Sequence, residues 1–98
     1  MSKLAIFVEL QAKPEVFDAF RAAMLRHAAL SLKEDPGCRQ FEVFVPEDQP
    51  HTLMLYEVYD DEASFQGHAK SKHTADHGAL TRPMVVNRRL VKAQVISG

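Results

Sequence analysis

The chain is short, nearly neutral and poor in cysteine, and these totals exclude several classes of protein. It has 98 residues with 12 basic and 13 acidic side chains, and no block of like charge would follow a phosphate backbone, so nucleic acid is not an expected partner. The single cysteine, Cys38, cannot form an internal disulfide. The apolar opening reaches Glu9 too soon for a secretory or membrane-spanning segment. We expect one domain over residues 1–98, in the cytoplasm and without a membrane partner.

The first half of the chain predicts a strand, a long helix and a hairpin. Residues 3–11 are rich in apolar and β-branched types, which is typical of a strand. Pro14 suits the first turn of a helix, and apolar side chains then recur at helical spacing until the DPG turn at 35–37. Residues 38–46 and 51–60 are two extended segments joined by a short polar loop, as in a hairpin.

The second half predicts an interrupted helix and a final strand. Asp60 or Asp61 can cap a helix that breaks near Ser71 and then continues until Pro83. Residues 88–96 are mostly apolar and predict the last strand. The order β-α-β-β-α-β indicates an α+β, ferredoxin-like fold, in which the helices cover one face of a four-stranded antiparallel sheet.

Apolar side chains occur on both faces of the predicted strands, although the helices can cover only one face. In the first strand Ile6 and Val8 point to one side and Phe7 to the other, and in the third strand Leu55 opposes Tyr56. A half-solvated antiparallel sheet should alternate apolar with polar side chains. Because the chain has no third layer, we predict a homodimer in which the second sheet face packs on the same face of an identical subunit.

Three of the five histidines lie close together in the sequence and raise the question of a metal site. His73 and His77 are four residues apart and can share a helix face, but Thr74 stands where an HExxH helix carries glutamate. Zinc also needs a third protein ligand, and His68, five residues before His73 and across the proposed helix break, could come close enough to supply it. We predict no metal and no cofactor, with His77 a solvent-exposed bystander. Metal binding by His73 and His77 is the open alternative.

One histidine and one glutamate are the best candidates for acid and base chemistry. His68 lies beside Phe65 on the apolar stripe of the second helix, and imidazole can exchange a proton near neutral pH. Glu57 interrupts the apolar set of the third strand, where a covered carboxylate needs a hydrogen-bond donor. We predict that Glu57 orients His68 as a base, although packing explains His68 equally well. The other predicted pocket residues are His27, Phe41, Phe44, Tyr56, Tyr59, Phe65 and His73.

Residues 36–73 resemble the antibiotic biosynthesis monooxygenase (ABM) family. They contain a PGC segment, a YE-x-Y-x-D turn and two spaced histidines in the order that this family shows. The resemblance implies a ferredoxin-like fold, a dimeric α+β barrel, and Glu57, His68 and His73 as pocket residues. The polyketide and haem-degrading branches use an asparagine and a tryptophan in the pocket. This chain has no tryptophan, and its only asparagine is Asn87.

The resemblance and the candidate residues together predict a function. We expect a cofactor-independent monooxygenase that uses O₂ on a quinol-like or small aromatic substrate, with His68 as the base. The first alternative is an isomerase of a small phosphorylated carbonyl compound, of the type that processes autoinducer-2. The second is a non-catalytic ligand-binding dimer. The sequence leaves open the substrate, the choice among these functions and any assembly beyond a dimer.

Overall fold

The computed structural model describes residues 2–97 and contains one four-stranded sheet with helices on one side. The strands are β1 (Leu4–Ala12), β2 (Cys38–Phe44), β3 (Thr52–Tyr59) and β4 (Val85–Gln94). The helices are α1 (Phe17–Glu34), α2 (Glu62–Lys70) and α3 (Lys72–Thr81). The sheet order is β2-β3-β1-β4, and each neighbouring pair is antiparallel. The predicted ferredoxin-like α+β fold is therefore confirmed.

Two prolines set element boundaries that differ slightly from the predicted ones. Pro14 opens a single 3₁₀ turn, Pro14–Val16, before α1 begins. Pro83 lies in a second such turn, Arg82–Met84, between α3 and β4. Short 3₁₀ turns commonly connect elements in this way, and proline has no amide hydrogen to lose in them. β4 consequently begins at Val85, three residues earlier than predicted.

Side-chain caps fix the start of the interrupted helix and its break. Asp61 caps α2, since its carboxylate accepts a hydrogen bond from the backbone amide of Ser64 at 2.8 Å. Ser71 separates α2 from α3, as predicted, and its hydroxyl donates to the backbone carbonyl of His68 at 2.8 Å. These bonds satisfy backbone groups that helix ends leave free. They also hold the last turn of α2 against the first turn of α3.

The core lies between the sheet and the helices and follows the alternation of the strands. Ile6, Val8 and Leu10 of β1 pack in one cluster with Phe20 and Met24 of α1. Other buried members of the cluster are Ala12, Ala28, Cys38, Phe41, Leu53, Leu55 and Tyr59. Because successive strand residues point to opposite faces, the odd-numbered residues of β3 reach this inner side, including the one glutamate of that strand.

The outer face of the sheet carries large apolar side chains that no described residue covers. Phe7, Phe44, Met54 and Val91 are each between 39 % and 46 % exposed. Phe7 and Tyr56 stack there, with ring centroids 5.2 Å apart. This is the surface on which the homodimer prediction depends, and the dimer stays a prediction. Among residues 2–97, no helix has both the length and the apolar content needed to cross a membrane.

Candidate active site

A cavity of about 630 Å³ lies between the inner face of the sheet and the three helices. Its volume is within the range typical of small-molecule sites. Most of its lining is apolar and includes Ile6, Val8, Leu10, Phe20, Met24, Phe41, Leu55, Phe65 and Leu90. The polar or ionisable lining includes His27, Glu57, His68, Thr74, His77, Arg82, Asn87 and Arg88. An apolar chamber with a few polar groups is the ordinary form of a ligand pocket.

One buried carboxylate holds two of the histidines. Asp35 directly follows α1, and its Oδ2 is 2.6 Å from Nδ1 of His68 while its Oδ1 is 2.8 Å from Nε2 of His73. An ionised carboxylate only accepts hydrogen bonds, so each imidazole carries a hydrogen on the nitrogen that faces Asp35. When His68 is neutral, its Nε2 is therefore the free basic nitrogen, and His68 lines the cavity.

The electrostatic balance keeps Asp35 ionised and His68 neutral, which is the form that a base requires. Burial alone would raise the pKa of Asp35, but the hydrogen bonds from His73 and His68 outweigh it, and the pKa lies below its usual value. Burial lowers the pKa of His68, while the hydrogen bond and charge of Asp35 oppose that shift only in part. At neutral pH the pair is thus an ionised carboxylate beside a neutral imidazole.

Two further histidines complete a cluster of four. The rings of His27 and His77 stack at a centroid distance of 4.1 Å, and the ring of His27 lies 5.3 Å from those of both His68 and His73. Burial, reinforced by its histidine neighbours, lowers the pKa of His27 to about 3. Burial also lowers the pKa of His77, which is partly buried and lines the cavity. The prediction that His77 is a solvent-exposed bystander is therefore corrected.

Glu57 lies on the inner face, as its place in β3 predicts, but it has a different partner from the predicted one. The hydroxyl of Tyr59 donates to Oε1 of Glu57 at 2.7 Å, whereas His68 is paired with Asp35. Tyr59 is the next inward-facing residue along β3, so it reaches the carboxylate first. Burial raises the pKa of Glu57 to about 7 and that of Tyr59 above its usual range. Glu57 and His68 line one cavity without forming the predicted pair.

The structure brings together only part of the predicted pocket. His27, Phe41 and Phe65 line the cavity, as do Glu57 and His68. His73 does not line it and is bound to Asp35, and Tyr59 is completely buried with its hydroxyl used by Glu57.

Two predicted pocket residues lie on the other side of the sheet. Tyr56 and Phe44 are outward-facing because each is an odd number of positions from an inward-facing neighbour on its strand, Leu55 or Phe41. Their assignment to the pocket is corrected.

Asp35 is the site residue that sequence reasoning missed. In the sequence it stands in the DPG turn that ends the first helix, a position typical of a helix stop. Its partners lie 33 and 38 residues further along the chain, so no local spacing connects them. The signal in the sequence that could have identified Asp35 is an acidic residue at the end of the first helix, which packs against the histidine-rich second helix.

The cavity also has a basic side. Arg82, at the end of α3, and Arg88, on β4, both line it and are both exposed. The charge of Arg88 acts on Glu57 and opposes the rise of its pKa, so the two side chains are electrostatically coupled. The site therefore has a histidine cluster beneath the helices and two guanidinium groups where β4 borders it.

Solved structures confirm this architecture. A candidate antibiotic biosynthesis monooxygenase from Caulobacter crescentus superposes with a TM-score of 0.93 at 15 % identity, covering 98 % of this chain and 92 % of that one. One from Nitrosomonas europaea gives 0.90 at 20 % identity, covering 96 % and 90 %. A protein of unknown function from Bacteroides thetaiotaomicron, named as a possible oxidoreductase, gives 0.89 at 19 %, covering 96 % and 98 %. At these identities the likeness shows a shared fold.

The family assignment comes from the sequence itself. No curated protein matches the chain. The model of the antibiotic biosynthesis monooxygenase family matches residues 4–79, which span β1 through most of α3. This segment contains Asp35, Glu57 and all four clustered histidines. The chain belongs to the antibiotic biosynthesis monooxygenase family.

Proposed function

We propose that this chain is a cofactor-independent monooxygenase acting on a small aromatic, quinol-like substrate. His68 is the base, and Asp35, which touches His68 and not the substrate, is the positioning residue. The observation that carries the proposal is the 2.6 Å hydrogen bond between Asp35 and Nδ1 of His68 at the wall of an apolar cavity. A base whose second nitrogen is held by a buried carboxylate has a fixed tautomer and a fixed ring orientation.

The chemistry begins with removal of a phenolic proton. Nε2 of His68 accepts it, and the carboxylate of Asp35 stabilises the imidazolium that results. The electron-rich phenolate then reacts with O₂. One oxygen atom enters the ring and the other leaves as water, so that a quinol and O₂ give a hydroxyquinone and water. The substrate supplies all four electrons, and the balance requires no external reductant.

The cavity suits such a substrate in shape and polarity. Phe41 and Phe65 supply flat apolar walls, and Phe41 lies 6.0 Å from the ring of His68 between centroids. Aromatic pairs at such separations pack favourably, so an aromatic ligand beside His68 would find compatible neighbours. Glu57, with its pKa near 7, is suited to exchange a hydrogen bond or a proton with a second ring hydroxyl.

Oxygen consumption tests the proposal directly. A naphthoquinol, the reduced form of a naphthoquinone, is supplied to the full chain, and the rate of its uncatalysed autoxidation is subtracted. Wild type should consume O₂ at a rate that a chelator does not lower, and His68→Ala should lose about two to four decades of that rate. His51→Ala is the matched control, because His51 lies in the loop between β2 and β3 beside Phe17 and outside the cavity. Equal rates in wild type and His68→Ala would contradict the proposed base.

The basic side of the cavity supports a second candidate, an isomerase of a small phosphorylated carbonyl compound. Arg82 and Arg88 could bind a phosphate group, while His68 and Glu57 move a proton beside the carbonyl. Such an enzyme would exchange that proton for deuterium in heavy water without consuming O₂. A non-catalytic binding dimer would show neither reaction, and His68→Ala would change only its affinity for the ligand.

A further inference from the structure

We infer that Asp35, His68 and His73 also form a binding site for one divalent transition-metal ion such as Zn²⁺, and that the bound ion blocks the base. The first half of this inference depends only on the cluster. The second half rests on the proposed function of His68.

The three donors are already gathered. One ligand atom from each of these residues lies within 4.8 Å of the others, and the two nitrogen to oxygen distances are 2.6 and 2.8 Å. Metal to ligand bonds of about 2.0 to 2.1 Å place neighbouring donors of a tetrahedral ion roughly 3.3 Å apart. Small side-chain rotations would therefore open the cluster enough to admit an ion. The three ligands come from the ends of three helices, so the geometry does not depend on one flexible loop.

The charge of the cluster favours a cation. Asp35 is 8 % exposed, and in residues 2–97 no lysine or arginine nitrogen lies within 4.0 Å of its carboxylate. Within that described range, its side-chain hydrogen-bond partners are the two imidazoles. The two imidazoles stabilise the carboxylate by hydrogen bonds but do not neutralise its charge, and a divalent ion would supply the positive charge that balances it. Protonation of one imidazole would supply the same positive charge and would therefore compete with the ion.

The cluster also contains more donor nitrogens than its hydrogen bonds use. Nδ1 of His27 and Nδ1 of His73 are buried and have no hydrogen-bond partner among the described residues. His27 has its ring 5.3 Å from those of His68 and His73, which places a further imidazole beside the cluster. Imidazole with carboxylate suits zinc and its first-row neighbours better than magnesium or calcium. Cys38, although buried, is not among the grouped donors.

Metal binding and base function exclude one another in this geometry. An ion bound to Nδ1 of His68 occupies the nitrogen that now carries the hydrogen facing Asp35. That hydrogen moves to Nε2, so the nitrogen available to the substrate becomes a donor and can no longer accept a proton. The bound ion would therefore inhibit proton abstraction.

Cobalt titration of the metal-free full chain tests the site without relying on activity. Co²⁺ should bind once per chain, with visible absorption of a low-coordinate complex. Asp35→Asn and His73→Ala should each weaken binding roughly a hundredfold or more, because even the loss of an outer partner of a ligand costs 10 to 100-fold. His51→Ala is the control and should bind like wild type, since His51 lies outside the cluster.

Nuclear magnetic resonance of the wild type covers the case in which a variant fails to fold. Paramagnetic Co²⁺ should shift and broaden the ring signals of His68 and His73 and leave those of His51 unchanged. Absence of saturable binding, or effects centred on His51 or confined to His77, would overturn the site.

Activity separates this inference from the proposed function. Stoichiometric Zn²⁺ should abolish quinol turnover, and a chelator should restore it. An active enzyme that binds no metal would refute only the metal site. A protein that binds metal but never oxidises a quinol would refute only the oxygenase.

Discussion

Asp35 is held at its backbone as well as at its side chain, which suits a positioning role. Its amide donates to the carbonyl of Ser31 at 3.0 Å, and its own carbonyl accepts from the amide of Cys38 at 3.1 Å. Pro36 follows directly and limits the backbone further. The backbone therefore presents the carboxylate to His68 and His73 from a fixed position.

The first prediction concerns the charge of Asp35. Asp35→Asn should lower the rate by about 10² to 10⁴-fold, because His68 loses both its orientation and the charge that stabilises its protonated form. The same carboxylate raises the pKa of His68, so its removal should lower that pKa further. The acidic limb of the kcat/KM profile should then move to lower pH. Steady-state oxygen uptake between pH 5 and 9 measures both effects.

A matched surface variant controls for the loss of one negative charge. Asp60 forms an exposed ion pair with Arg39 at 2.7 Å and lies outside the cavity. Asp60→Asn should leave the rate and the pH profile unchanged, since exposed ion pairs contribute little. An Asp35→Asn enzyme with the wild-type acidic limb would show that the carboxylate does not act through His68.

The second prediction concerns the buried carboxyl group of Glu57. Its pKa is about 7 in the folded chain against an ordinary value of 4.5, so the folded state retains a proton that the unfolded state releases. The protonation of Glu57 therefore stabilises the folded state fully below pH 4.5, and this stabilisation is lost as the pH rises through 7. Glu57→Gln removes the dependence. The free energy of unfolding of the variant relative to wild type should therefore increase by about 2 kcal/mol from pH 5 to pH 8.

Urea denaturation at the two pH values measures this difference. Glu15→Gln is the control, because Glu15 is an exposed glutamate of the turn before α1 and lies off the outer sheet face. Histidine titrations contribute equally to wild type and to both variants, so they cancel in the comparison. A Glu57→Gln variant with the same pH dependence as wild type would mean that Glu57 is ionised at pH 5.

At the scale of elements, the turn between α1 and β2 depends on one glycine. Gly37 has φ of 85°, which favours glycine, and a Cβ there would lie 2.2 Å from Oγ and 2.5 Å from Cβ of Ser64. The turn thus passes directly against the first turn of α2. This close approach brings the end of α1, with Asp35, next to the helix that carries His68.

The third prediction uses this contact. Gly37→Ala should destabilise the fold by about 2 to 4 kcal/mol, from the strained backbone and from the clash with Ser64. Gly67→Ala is the matched control, because Gly67 lies within α2 and a Cβ there meets nothing within 4 Å. The control should gain about 0.5 to 1 kcal/mol from helix propensity. Urea unfolding compares the two, and a Gly37→Ala protein as stable as wild type would contradict the tight approach.

The element order could be predicted from the sequence because it depends on local signals. Prolines, capping side chains and the period of apolar residues each act over a few positions, and the break at Ser71 was found in this way. The same alternation places Tyr56 and Glu57 on opposite faces of the sheet. The predicted pocket nevertheless included both, because it grouped aromatic residues by their closeness in the sequence. The bond between Asp35 and His68 could not be predicted, since it depends on how two helix ends meet.

At the scale of the whole molecule, the outer sheet face is an apolar surface that residues 2–97 leave uncovered. Phe7, Phe44, Met54 and Val91 form an apolar surface on the side of the sheet that the helices leave uncovered. Such a surface in a small domain marks an interaction site. A second copy with the same face would bury it, and the cluster of four histidines would stay on the inner side of each subunit. We therefore expect a homodimer with its sheets face to face.

The fourth prediction is that Phe7→Glu breaks this dimer. Each side of a two-fold interface carries the substitution, so a loss of about 2 kcal/mol per side would weaken association about a thousandfold. Light scattering coupled to size exclusion measures the mass over a range of concentrations. Leu25→Glu is the control. Leu25 lies on α1 and is 49 % exposed, against 45 % for Phe7, so this substitution introduces the same charge at a similar exposure on the helix side.

The activity of a dissociated variant tests whether the interface on the outer face of the sheet affects the site on its inner face. Phe7 lies between the inward-facing residues Ile6 and Val8, both of which line the cavity, so its side chain points away from His68. A monomeric Phe7→Glu protein should keep the Asp35 to His68 bond and its turnover per chain, but its melting temperature should no longer rise with protein concentration. A wild type that is monomeric at every concentration, or a Leu25→Glu protein that dissociates instead, would assign the apolar outer face to some other role.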